Sequence, residues 1–251
     1  MSEDAKGRFE STVATYEAAR PPYGAAFFVE VARAIGLDGR QRLLDVGAGP
    51  GILAIGFAPW CRRVTGVDPK PAMIEAARAA AAHAGVALDL IEGRLEDLRE
   101  APGAFDVVTI GWAIHWLDPK PALETLDWIV APGGKIVVCR ASGVKDGRNP
   151  WLDAFAAVRR RFGGEHEPHD ARAFLEGGRF RHREAITVET TSVVPVARFA
   201  DRLLSFSTSS PARLSSRISE MRDVMGQAMA PFATNGLIDE IVAARADVFE
   251  G

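Results

Sequence analysis

The sequence predicts an α/β fold with a largely parallel sheet, on three observations. Short apolar runs alternate with helix-patterned stretches up to about residue 141, at the spacing of βαβ units. One of those runs breaks into glycines in RLLDVGAGPG, residues 42–51. The composition, 47% hydrophobic and 25% charged over 251 residues, supplies a core for one large domain with an inserted or appended cap.

Residues 9–35 pattern as two helical pieces split at Pro21-Pro22, the second with Phe27, Phe28, Val31 and Ile35 on one face. Residues 42–46 form the opening strand and 51–59 a helix. Residues 63–67 read as a second strand closed by Asp68. The alanine-rich run over 71–83 is a helix, with Pro71 in its first turn and Gly85 just past its end. Strands follow at 88–91, 106–111 and 135–141, with a helix over 119–130 and a turn at APGGK. Beyond Asn149 the spacing predicts a helix over 150–162, a short helix within 165–175, a strand at 185–194, and helices from 198 and over 211–230. Residues 237–249 suit a last strand after Asn235-Gly236 or a closing helix, and the strand is favoured. Right-handed crossovers place ligands at the carboxyl ends of the strands, near the switch point beside the first.

A net charge of −3 argues against a general electrostatic grip on nucleic acid. The basic clusters, Arg159–Arg161 and Arg179–Arg183, read as solvated faces. No apolar run approaches the roughly 20 residues of a membrane span, and MSEDAKGRFE does not read as a secretory signal. Cys61 and Cys139 stand far apart without metal-ligand spacing, as reduced thiols of a cytoplasmic protein. No metal site is expected.

The chemistry concentrates around the glycines. Gly47, Gly49 and Gly51 bring bare backbone to a ligand. Asp68, about 20 residues further on at the end of the second strand, suits a ribose diol. It could equally cap the helix that follows. The pattern G-x-G-x-G lacks the third glycine position of a dinucleotide site, and Asp45, two residues earlier, would repel pyrophosphate while suiting a cationic amine. Together these residues point to a nucleoside without phosphates and with positive charge.

With LLDVGAGPG, VTGVDPKPAMIEAAR, GRLEDL, FDVVTIGWAIHWLD and APGGK in that order, residues 40–141 resemble the class I S-adenosylmethionine-dependent methyltransferases. Within them the chain resembles the type 11 group. YEAARPPY and the His-Trp pair after the fourth strand are similar to members related to trans-aconitate methyltransferase. The resemblance implies a Rossmann-like fold, with a seven-stranded, mostly parallel sheet flanked by helices and helical cap insertions. It implies three parts: an N-terminal helical lid (1–38), a cofactor-binding core (39–145), and a part (146–251) that completes the sheet and carries a helical acceptor-binding insertion.

It also implies roles. Gly47, Ala48 and Gly49 would lie beneath the methionine moiety, and Asp45 would hold its ammonium directly or through water. Asp68 would take the ribose hydroxyls, with Pro69 and Met73 walling the adenine. The Leu95 backbone and the Glu96 carboxylate would face the adenine edge, Glu96 replacing the Asp that many relatives carry where this chain has Arg94. Gly111, Trp112 and His115 would line the pocket near the sulfonium, and Tyr16, Arg20 and Tyr23 would fold over it. His115 is either a general base for an oxygen or nitrogen acceptor or a packing residue of the loop. Trp151, Phe155, Phe162, Phe174, Phe199 and Phe206 either line an acceptor pocket or form cap core. The expected function is methylation of a small organic acceptor on oxygen or nitrogen, without nucleic acid or membrane partners, by a monomer or homodimer. A non-catalytic protein binding S-adenosylmethionine or S-adenosylhomocysteine is the alternative.

Overall fold

The computed structural model describes residues 23–163 and 170–251, so Tyr16 and Arg20 lie outside the described residues. These residues divide into two compact units. One holds Tyr23–Arg140, residues 170–188 and Ala244–Gly251; the other holds residues 141–163 and Glu189–Ala243.

Among the described residues, β1 (Arg42–Val46), β2 (Arg63–Asp68), β3 (Asp89–Glu92), β4 (Phe105–Gly111), β5 (Val130–Gly143), β6 (Arg181–Pro195) and β7 (Leu237–Glu250) form one sheet. Its order is β3-β2-β1-β4-β5-β7-β6. The pairs β1–β2, β1–β4, β2–β3 and β4–β5 are parallel, so the sheet is mostly parallel, as the sequence predicts. Strands β1 and β4 are buried on both faces, which is why they read as near-continuous apolar runs. The chain leaves β1 towards β2 on one side and returns to β4 on the other. The crevice at their carboxyl ends is therefore the switch point.

In the first unit, α1 (Ala25–Ile35), α2 (Ile52–Phe57), α3 (Pro71–Ala84), α4 (Pro119–Ile129) and α6 (Ala171–Glu176) accompany the strands. Helix α1 buries Phe27, Phe28, Val31 and Ile35, the stripe expected from its spacing. Leu44, Val46, Val108, Ile110, Leu126, Ile129, Ile136 and Phe249 belong to one core.

In the second unit, α5 (Leu152–Gly163), α7 (Ala197–Leu204), α8 (Pro211–Leu214) and α9 (Ile218–Met229) surround another. Met221, Met225 and Met229, one helical turn apart, pack there with Trp151, Phe155, Phe162 and Phe199. These four aromatics are thus cap core. Phe174 packs in the first unit's core, and Phe206 lies under the Arg159 guanidinium at 4.3 Å. Arg202 donates to Glu240 through both terminal nitrogens (2.5 and 2.9 Å) in a buried pair.

The structure departs from the sequence-based boundaries in identifiable places. Residues 237–249 are strand, and β6 extends to 181. Strand β5 starts at Val130, not 135. It pairs with Phe105, slips register through Ala131–Gly134, and pairs again at Lys135, so the Pro-Gly-Gly turn is a bulge inside a strand. The helix expected over 211–230 breaks at Ser215, whose φ of 45° ends α8. Within the basic clusters, Arg159 lies over Phe206 and Arg161 pairs with Glu220. Arg179 pairs with Asp127, Arg183 pairs with Glu250, and Arg181 donates to the Gly178 carbonyl. Cys61 and Cys139 are free; burial pushes the Cys61 thiol up to about 11 and the Cys139 thiol well above its ordinary value. No helix among the described residues is long and apolar enough to cross a membrane.

Candidate active site

The site is built where β1, β2 and β4 end together, with Val46 beside Val67 and Ile110. Past β1 the chain turns back at once. The Ala48 N–H donates to the Val67 carbonyl (3.0 Å), and the Gly51 N–H closes the turn on the Ala48 carbonyl (2.9 Å) before α2 begins.

Two glycines in the turn serve different ends. Gly47 has φ +64°, and a Cβ there would lie 2.4 Å from the Ala113 Cβ. Gly49 has φ +55°, and a Cβ there would find the Gly47 carbonyl oxygen as its nearest neighbour, at 4.0 Å. Gly47 is required by packing. Gly49 leaves bare backbone for whatever lies on the turn.

Asp68 ties this turn to β2. Its Oδ2 accepts from the Gly49 N–H (2.9 Å) and its Oδ1 from the Lys70 N–H (2.9 Å). The residue that caps α3 is Lys70, with Pro71 in the first turn, so Asp68 is not the helix cap. It is buried, 7% exposed, and desolvation raises its pKa against the opposing backbone hydrogen bonds and the Lys70 charge. Each carboxylate oxygen keeps a further lone pair for a hydroxyl donor. Pro69 is half-buried and Met73 buried on the first turn of α3.

Asp45 lies deeper, 2% exposed, near the end of β1. Its Oδ1 accepts from the Thr109 hydroxyl (2.8 Å) and its Oδ2 from the Ala54 N–H of α2 (3.2 Å). Burial pushes its pKa up to about 7, against the two hydrogen bonds, and Asp68 adds to the rise. A carboxylate in that condition gains from an arriving cation, which offsets the desolvation.

The other expected residues fall into two groups. Gly111 ends β4 against Leu53, where a Cβ would lie 2.7 Å from Leu53 Cδ1 and 3.8 Å from the Tyr23 hydroxyl. Trp112 follows with φ 57°, a left-handed conformation that large side chains rarely adopt. His115 sits on the next short turn, Ile114–Trp116, its ring 4.8 Å from that of Trp116. Leu95 is a buried core residue, and the Glu96 Oε1 accepts from Arg94 (3.2 Å) and the Asp118 N–H (3.2 Å). Sequence reasoning missed Thr109 and Ala113. The signal for Thr109 was present: a lone hydroxyl in the apolar run of β4, in register with the lone acid of β1.

Residues 44–138 match the type 11 methyltransferase family, described as "Methyltransferase domain". A ubiquinone biosynthesis O-methyltransferase of Pseudomonas aeruginosa is 33% identical over 145 residues, 56% of this chain and 60% of that protein. An uncharacterized methyltransferase of Mycobacterium bovis is 26% identical over 232 residues, 91% of this chain and 90% of that one. A structure from Anaeromyxobacter dehalogenans, described as a type II methyltransferase, shares the fold with a TM-score of 0.61 at 21% identity, covering 92% of this chain and 97% of that one. The chain spans 35% to 60% of the length of the first curated relatives it matches. The fold is the Rossmann-like fold of the class I methyltransferases. Residues 44–138 of the chain match the methyltransferase domain of the type 11 group.

Proposed function

We propose that the chain transfers a methyl group from S-adenosylmethionine to the oxygen or nitrogen of a small organic acceptor. One observation carries the proposal. A backbone turn open at Gly49 lies between two buried carboxylates, Asp45 and Asp68, both with raised pKa. That donor set fits a ribonucleoside carrying an ammonium and no phosphate, because pyrophosphate would meet like charge at both ends.

In this reading Asp45 takes the ammonium and Asp68 the ribose hydroxyls, while Gly47, Ala48 and Gly49 support the methionine moiety. Pro69 and Met73 wall the adenine, and the Leu95 backbone and Glu96 face its edge. Gly111 and Trp112 border the methyl. The bound donor supplies an electrophilic methyl on a sulfonium, with a thioether as leaving group. The chain's part is to hold the acceptor in line with that bond and to exclude water. His115 is the candidate to accept the acceptor's proton, and Tyr16, Arg20 and Tyr23 the candidates to close over the site. The resemblance of 56% of the chain to an O-methyltransferase supports an oxygen acceptor alongside nitrogen.

The test is calorimetry with S-adenosylmethionine, followed by a small-molecule acceptor screen scored for S-adenosylhomocysteine. Binding followed by acceptor-dependent product is expected. Binding without product across the screen would favour a non-catalytic binding protein.

A further inference from the structure

Strand β4 reads FDVVTIG, and Thr109 is fully buried among Val107, Val108 and Ile110. A valine at 109 would have nearly the same shape and form strand as readily. Neither packing nor strand formation therefore calls for the hydroxyl, which donates to Asp45. The register sets Thr109 beside Asp45 across the β1–β4 pair, and its hydroxyl donates to Oδ1 at 2.8 Å. Ala54 of α2 supplies a backbone donor to Oδ2 at 3.2 Å. Two donors from two elements hold the carboxylate plane.

We infer that Thr109 is a positioning residue: its hydroxyl orients the Asp45 carboxylate and favours its charged form, so that Asp45 can receive the ammonium of the methyl donor. The inference rests on the proposed donor. It assigns Thr109 no contact with that donor.

Among the described residues, the other ionisable groups acting around Asp45 are few. Asp68, at the end of β2, raises its pKa, and Lys70 acts on Asp68. Cys139 on β5 is a buried thiol whose own pKa Asp45 helps to raise, so it stays neutral in the range concerned. Helix α2, ILAIGF, carries no charged side chain. Asp45 is therefore the group expected to titrate near neutrality, releasing its proton to solvent when an ammonium binds.

The test compares two ligands on the wild type and on Thr109→Val and Thr109→Ser. S-adenosylhomocysteine carries the ammonium; 5′-methylthioadenosine is the corresponding nucleoside without the amino-acid part. Wild-type affinity for S-adenosylhomocysteine should fall about tenfold per pH unit below about 7, with 5′-methylthioadenosine flat. A hydrogen bond to a charged group sets the size of the variant's effect. Thr109→Val should move the midpoint up by about one to two pH units and weaken S-adenosylhomocysteine about three- to twenty-five-fold at pH 7.5. Its affinity for 5′-methylthioadenosine should stay within about twofold, and Thr109→Ser should restore the wild-type midpoint.

The Asp45 carboxyl carbon shift, followed by NMR against pH in the ligand-free protein, reads the same midpoint without any ligand. A Thr109→Val midpoint that stays put, or equal losses for both ligands, overturns the positioning role alone. A folded wild type that ignores S-adenosylhomocysteine overturns the donor reading, and the positioning role with it. If Thr109→Val does not fold, Thr109→Ser decides: a shifted midpoint with the hydroxyl retained overturns the inference.

Discussion

Gly47→Ala is the perturbation whose size follows most directly from the geometry. The new Cβ would lie 2.4 Å from the Ala113 Cβ, where carbon atoms in contact sit about 3.5–4.0 Å apart. The glycine turn and the segment after β4 must separate by more than ~1 Å or distort. The left-handed φ of +64° adds about 1–2 kcal/mol for any residue with a Cβ. Overpacking of a tight contact adds about 1–3 kcal/mol. The total loss is about 2–5 kcal/mol, a large share of the roughly 5–15 kcal/mol of a typical domain.

A second change separates the two contributions. With Ala113→Gly, the nearest atom to the new methyl becomes the Cα of residue 113 at 3.8 Å, an ordinary contact. The double variant should therefore recover about 1–3 kcal/mol and leave the conformational cost. Urea denaturation of the four proteins gives the coupling through a double-mutant cycle, read from the midpoints at an unchanged slope. Gly47→Ala at wild-type stability, or a cycle without coupling, would refute the contact.

Other outcomes are equally specific. Asp68→Ala should weaken binding of S-adenosylmethionine by about 1.5–3 kcal/mol in calorimetry, and an unchanged affinity would remove the ribose assignment. Asp45 also predicts a sign for stability: its raised folded pKa means the ligand-free protein loses stability as pH rises from about 4 through about 7, by on the order of 4 kcal/mol from this group. Asp45→Asn should flatten that part of the profile in chemical denaturation; a profile identical to wild type would show that Asp45 ionises normally. His115→Ala should lower turnover about 10²–10⁴-fold if the imidazole is the base, and a loss under tenfold would leave it a packing role.

The sheet was legible because its central strands are short apolar runs bounded by glycine, proline or acid. Asp45 and Asp68 were legible as lone acids at strand ends. Their partners were less so, since Thr109 stands 64 residues from Asp45 and meets it only through the parallel register. Ala113 was invisible for a related reason: an alanine signals nothing until the Gly47 Cα is placed against it. The break at Ser215 escaped because a positive φ at serine is set by surroundings rather than by propensity. The β5 bulge hid behind Pro132-Gly133-Gly134, a turn signal that a strand can also absorb at its start.

The central claim is that the turn between Asp45 and Asp68 holds a cationic nucleoside without phosphates. A competition titration at pH 8 between S-adenosylmethionine and NAD tests it most directly. S-adenosylmethionine should bind and resist displacement by NAD, with Asp45→Asn abolishing most of that preference. Tighter binding of NAD, or no binding of S-adenosylmethionine by the folded protein, would contradict it.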